Sequence, residues 1–193
     1  MSPKITTPPA LGGPFQICRW TVLKVDVVVE PVWYPYKTIS LTIQPGAPSA
    51  QCIIDRLPAG GRPKTLPNFG DQVLDNDSCQ TDPPLPLHSD RFQNVLLGQT
   101  IALALNLRLD PNLGSLVLCT QMTTDNGVFP IDASVIEAMV TIGGGHTASS
   151  LLALANRALA GGDTLGVSPK LINTAVDAVN RAFDECATLT GCD

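Results

Sequence analysis

The sequence predicts an α+β fold, a small N-terminal β region packed on a bundle of three to four helices. Three observations predict it. Two early segments, 19–30 and 37–44, alternate apolar and polar residues with the period of a half-buried strand. One segment, FQNVLLGQTIALALNLRL, is apolar nearly all round, as a buried central helix is. Two late segments carry apolar residues at helical spacing behind N-cap residues. With 193 residues, 44% of them hydrophobic, the chain can bury one core. It divides into a Pro/Gly-rich arm (1–16), a β-strand region (17–45) and a helical domain with a long disulfide-stapled loop (46–193).

The arm, rich in Pro, Gly and Thr, has no apolar period of its own. In the first strand Leu23, Val25, Val27 and Val29 alternate with Lys24, Asp26 and Val28. In the second, Ile39, Leu41 and Ile43 alternate with Ser40, Thr42 and Gln44. The link between them, Pro31-Val-Trp-Tyr-Pro-Tyr, is too proline-rich for a two-residue hairpin. The strands therefore pair through a wide loop or belong to different sheets. Ser49–Leu57 reads as a short helix with Ile53, Ile54 and Leu57 on one face, stopped at Pro58. An irregular stretch from Gly60 to about Asp90 follows, with Cys79 near its middle.

The central helix is expected over Arg91–Leu109. Gly98 inside it implies close approach of another helix, and Asn106 would need a buried partner. Ser115–Thr120 reads as a strand, Asp125-Asn-Gly as a turn and Asp132–Met139 as a short helical piece. Thr147 is the expected N-cap of a helix over Ala148–Ala160, with Leu151, Leu152, Ala155 and Leu159 inward and Gly161-Gly162 as its stop. Ser168, with Pro169 at the first helical position, opens the last helix, which runs to about Ala187.

Six cysteines, Cys18, Cys52, Cys79, Cys119, Cys186 and Cys192, stand among only two histidines. None lies within four residues of another, which excludes C-x-x-C zinc clamps and redox pairs. An even, scattered set reads as structural disulfides and an oxidising compartment, with free thiols in a cytosolic protein as the weaker reading. Spacing suggests Cys186–Cys192, Cys79–Cys119 and Cys18–Cys52 as pairs. Charged residues are only 15% of the chain and the net charge is −5. No Lys/Arg cluster could track phosphates, so a nucleic-acid partner is not expected. No apolar run is long enough to span a bilayer. The opening MSPKITTPPALGGPF lacks a signal-peptide core, so export is expected either after loss of a leader or by another route.

The motifs that carry chemistry are weak. His88 and His146 have no companion nucleophile in a G-x-S-x-G elbow or Cys–His pair. Gly143-Gly-Gly-His-Thr could hold an anion at a helix start, but it lacks the G-K-[ST] of a P-loop, and a turn ahead of the cap is the better reading. The acidic loop Asp71–Asp82 departs from the calcium-loop order, so a solvated loop outweighs a metal site. No catalytic residue, metal or cofactor is therefore expected, and the chain is not read as an enzyme.

Five segments together carry a resemblance: Leu57–Gly61 (LPAGG), Asn94–Asn106 (NVLLGQTIALALN), Asn112–Leu118 (NLGSLVL), Ala155–Gly161 (ANRALAG) and Leu171–Asn180 (LINTAVDAVN). The pattern resembles an uncharacterised α+β domain of secreted multidomain bacterial surface proteins, over roughly residues 40–187. The resemblance implies an extracellular or cell-surface module whose usual neighbours are adhesive or structural. The strand at 19–30 has no counterpart in it.

The function expected on these grounds is that of a secreted structural protein. Its subunits would self-associate into an oligomer or filament through the arm or the strand bearing Leu23, Val25, Val27 and Val29, an extended segment adding to a neighbour's sheet. In-chain pairing of that strand with 37–44 competes equally. The alternative function is a ligand- or glycan-binding module, with Trp33, Tyr34 and Tyr36 as the contact residues.

Overall fold

The computed structural model describes residues 27–28, 40–43, 47–67, 71–75, 77–110, 112–183 and 187–193. The fold is α+β, as the sequence predicts. Strand β1 (Val27–Val28) pairs antiparallel with β2 (Ser40–Ile43), Val27 opposite Ile43 and Val28 opposite Thr42. Helix α1 (Ala47–Arg56) then crosses over to β3 (Asp71–Leu74), which lies parallel to β2 in register Ser40–Asp71 to Ile43–Leu74. The in-chain reading of the first strand therefore holds for Val27 and Val28, and β1 needs no neighbour's sheet to form. Leu23, Val25 and Val29 lie outside the described residues. In α1, Cys52 and Ile53 are buried, but Ile54 is 64% exposed, contrary to expectation. The helix meets the core along a narrow stripe set by Cys52, Ile53 and Arg56.

The central helix starts later than expected. Arg91 and Phe92 form strand β5, the return of a hairpin from β4 (Leu87–His88). The hairpin tip, Ser89-Asp90, has positive φ at both positions. Helix α2 (Val95–Leu109) follows, with Leu96, Leu97, Ile101 and Leu103 fully buried and Leu107 only partly so. Each fully buried aliphatic side chain contributes about 1.5–3 kcal/mol. Asp110 closes the helix, its N–H bonded to the Asn106 carbonyl. A 3-10 turn, Leu113–Ser115, leads to a single bridge between Val117 and Thr147, where a six-residue strand was expected.

The turn signal at Asp125-Asn-Gly closes a true hairpin, β6 (Gln121–Thr124) with β7 (Gly127–Pro130). Helix α3 (Ala133–Gly143) is capped by Asp132, whose side chain accepts from the Ser134 N–H. Helix α4 (Ala148–Leu159) is capped by Thr147 and α5 (Pro169–Ala182) by Ser168, both as expected. Helix α5 ends near Phe183, short of the expected Ala187; residues 184–186 are outside the described set. A last strand, β8 (Leu189–Cys192), had no sequence signal and pairs antiparallel with β6, giving the order β7-β6-β8.

Helix α4 sits at the centre, touching α2, α3 and α5, while α5 also lies against the β6–β7 hairpin. There the Arg181 guanidinium stacks 5.9 Å over the Phe129 ring.

Candidate functional site

Helix α1 places Cys52 and Arg56 one helical turn apart on its buried side. Both reach the same loop. Cys52 forms a disulfide with Cys79. Arg56 donates from Nε to the Cys79 carbonyl (2.7 Å), from one terminal nitrogen to the Ser78 carbonyl (3.2 Å) and from the other to the Asp90 carbonyl (2.8 Å). Arg56 is only 9% exposed, so its charge is offset by oriented carbonyl dipoles. The arrangement ties the loop to the helix.

Asp75 folds the same loop onto itself. Its Oδ1 accepts from the Asp77 N–H, the Ser78 N–H and the Ser78 hydroxyl. The bonds from Ser78 favour the ionised form and hold the Asp75 carboxyl below its ordinary range. This carboxylate is engaged in turn-building. Among the described residues, no three His, Cys, Asp or Glu side chains converge as a metal site would require.

The glycine stretch before α4 is a helix joint. A Cβ on Gly143 would stand 2.6 Å from that of Ser150. The Ser150 hydroxyl donates to the Gly143 carbonyl, and Gly144 supplies the left-handed turn. The His146 carbonyl accepts from the Leu118 N–H, and its side chain is exposed, as is that of His88. A cavity of about 10 Å³ lies between Lys64, Leu66, Leu85, Phe92, Asn94 and Leu97. It has room for one water.

The residues that carry the sequence pattern converge on two structural joints. At the first, a Cβ on Gly98 would stand 2.5 Å from the Ala59 Cβ and 3.1 Å from Leu57 Cδ2. The close approach expected at Gly98 is real, but its partner is the turn after α1, not another helix. The Gly60 N–H bonds the Phe92 carbonyl, and Asn94 clasps Lys64 through both its N–H and its C=O. At the second joint a polar ladder binds α2 to α5. Asn106 donates to Asn180 Oδ1 (3.2 Å). Asn180 Nδ2 donates to the Gln99 carbonyl (3.0 Å) and to Gln99 Oε1 (2.7 Å). Gln99 Nε2 donates to Asp177 (2.9 Å), which faces Arg181 at 3.7 Å. The partner that Asn106 demanded is therefore Asn180.

The described cysteines are all bridged, Cys52 to Cys79 and Cys119 to Cys192. These pairs overturn all three expected ones, Cys18–Cys52, Cys79–Cys119 and Cys186–Cys192. Sequence proximity misled at Cys192, because β8 carries it back across β6 to within 5.7 Å (Cα–Cα) of Cys119. Cys18, Cys186 and the aromatic set Trp33, Tyr34 and Tyr36 lie outside the described residues. Among the described residues no helix is long and apolar enough to cross a membrane. Sequence reasoning missed Arg56 altogether, since a lone arginine at a helix end carries no signal of what its loop will offer. Gln99 and Asn180 were visible only as letters of a pattern.

No family model, curated protein or solved structure matches the chain.

Proposed function

We propose that the chain is an extracellular structural module, an assembly subunit of a secreted or cell-surface protein. The observation that carries this reading is the covalent bracing. Two disulfides secure the loop after β3 and strand β8 to the rest of the described fold. Such bracing suits an oxidising milieu, where disulfides form and persist. The polar residues Asn94, Gln99, Asn106 and Asn180 are spent on joints between elements, which suits a part whose task is to keep its shape.

Self-association is the finer part of the proposal. Among the described residues strand β1 is paired on one side only, in the order β1-β2-β3, and an open edge can accept an extended segment from another copy. The segment offered is the stretch 1–26. Light scattering of the native protein tests this. An oligomer that falls to monomer on deletion of residues 1–26 supports it. A full-length monomer across the micromolar range, or equal assembly by the truncated form, overturns it. The export reading is tested separately by counting thiols. At most two cysteines, Cys18 and Cys186, are expected to alkylate in native protein, and labelling at Cys52, Cys79, Cys119 and Cys192 would defeat it.

A further inference from the structure

We propose that the Cys119–Cys192 bridge is a reducible clasp, whose opening by a small dithiol releases strand β8 and converts β6 from a central strand into an open edge. The inference is independent of the function proposed above. It rests on a contrast between the two disulfides. Cys52 is 1% exposed on the inner side of α1, and its partner Cys79 is half-buried under the Arg56 clamp. Cys119 is half-buried like Cys79, but its partner Cys192 is exposed where Cys52 is not, so a thiolate can approach the second bridge at Cys192 from solvent without unfolding the core.

The exchange balances as follows. A thiolate of the dithiol attacks Cys192 Sγ, the Cys119–Cys192 bond breaks, and Cys119 leaves as a thiolate that takes a proton from water. The second thiol of the reagent then attacks the mixed disulfide and frees Cys192. The reagent closes to its own disulfide, oxidised by two electrons, and the protein gains two thiols.

What remains to hold β8 is mostly polar. Its side chains alternate half-buried and exposed, Leu189 is its own apolar contact with the core and buried Ala187 precedes it. Thr190 donates to the Thr123 carbonyl (3.2 Å) and Thr120 to the Asp193 carbonyl (2.9 Å). The strand contains Gly191, and its pairing with β6 is broken by a register shift between Thr123 and Thr124. The ladder is extended by the paired bonds between Gln121 and Asp193, at 3.0 and 3.1 Å, and by Thr188 N–H to the Asp125 carboxylate at 2.7 Å. These last bonds face solvent, where water competes for them. As a four-residue strand at the edge of the β7-β6-β8 sheet, β8 is the part of it that opens most readily once the covalent tie is gone. The hairpin β6–β7, closed by its own turn, does not depend on β8.

The test uses the oxidised full-length protein under native conditions. It is treated with graded dithiothreitol, quenched with iodoacetamide and mapped by peptide mass spectrometry, with hydrogen exchange on the same samples. Cys119 and Cys192 are expected to alkylate on the order of tenfold sooner than Cys52 and Cys79. Amides of residues 121–124 and 188–193 should lose protection while those of α2 keep theirs. Simultaneous alkylation of all four cysteines, earlier alkylation of Cys52 and Cys79, or retained protection at β6 once the bridge is open would each overturn the proposal. The double variant Cys119→Ser/Cys192→Ser should show the β6 exposure without reductant, and a variant with β6 protected as in the oxidised parent would overturn it as well.

Discussion

Cys52 and Arg56 grip the same residue from the same helix: Cys52 through the sulfur of Cys79, Arg56 through its carbonyl oxygen at 2.7 Å. The covalent tie fixes how far the loop can stray. The guanidinium fixes its orientation, because three carbonyls, those of Ser78, Cys79 and Asp90, must point at one planar group.

Replacing that group should therefore be costly even with the disulfide intact. Arg56→Met leaves three carbonyls without their donor and is expected to destabilise by about 2–4 kcal/mol in denaturant melts. Arg56→Lys should recover only part of the loss, because one ammonium cannot fork to three acceptors. Limited proteolysis should cut both variants first between residues 75 and 90.

The packing of α2 on the turn after α1 predicts a compensating pair. Gly98→Ala puts a methyl 2.5 Å from the Ala59 Cβ and should cost about 1–3 kcal/mol. Ala59→Gly in the same chain removes the tightest of its contacts, leaving Leu57 Cδ2 at 3.1 Å, and should restore at least half of that loss. A double-mutant cycle on thermal melts measures the coupling. Additive effects would mean that the two residues do not meet.

The ladder between α2 and α5 makes Asn180 its keystone. Asn180→Leu leaves Gln99 Oε1 and Asn106 Nδ2 without their partners and should cost about 1–3 kcal/mol. Adding Asn106→Leu should cost less than the same change in the parent, since its bond is already lost.

Acid should reach the helix cap of α3 and the turn at Asp75. The Ser134 hydroxyl and N–H favour ionised Asp132, as the Ser78 groups favour ionised Asp75, so both carboxyls are lowered in the folded state. Groups lowered on folding add stability that is fully present above their unfolded value of about 3.9 and is lost as pH falls through the folded value. Melting temperature should thus fall below about pH 4, and Asp132→Asn, which keeps a capping oxygen, should flatten part of that fall. A variant with the parent's full acid dependence would show that Asp132 does not contribute.

Much of the helical layout was legible because caps and periodicity are local. Thr147, Ser168 and Pro169 announce their helices in a few residues, and the alternation in 40–43 announces its strand. The start of α2 was not, because Arg91 and Phe92 owe their strand to Leu87–His88 across a tight tip, and an apolar run does not reveal where its backbone first turns helical. Strand β8 was invisible, since Leu189, Thr190 and Gly191 form a strand only where β6 offers an edge, more than sixty residues earlier in the chain. The disulfide pairing failed for the same reason. Bridges are chosen by fold, and nearness in sequence is a poor guide when a distant strand returns.

The positions of the two bridges also decide how the chain would bear tension. They close separate loops, residues 52–79 and 119–192, and the second encloses α3, α4 and α5. A pull applied outside these loops runs through the sulfur atoms and bypasses the three helices. With its cysteines 73 positions apart in sequence, the second bridge alone hides roughly 250 Å of extensible chain at about 3.4 Å per residue. Between Cys52 and Cys192 the stretch that these two bridges leave to lengthen is 80–118, and it contains α2. A helix that sends Leu96, Leu97, Ile101 and Leu103 into the core is therefore the one that carries the load.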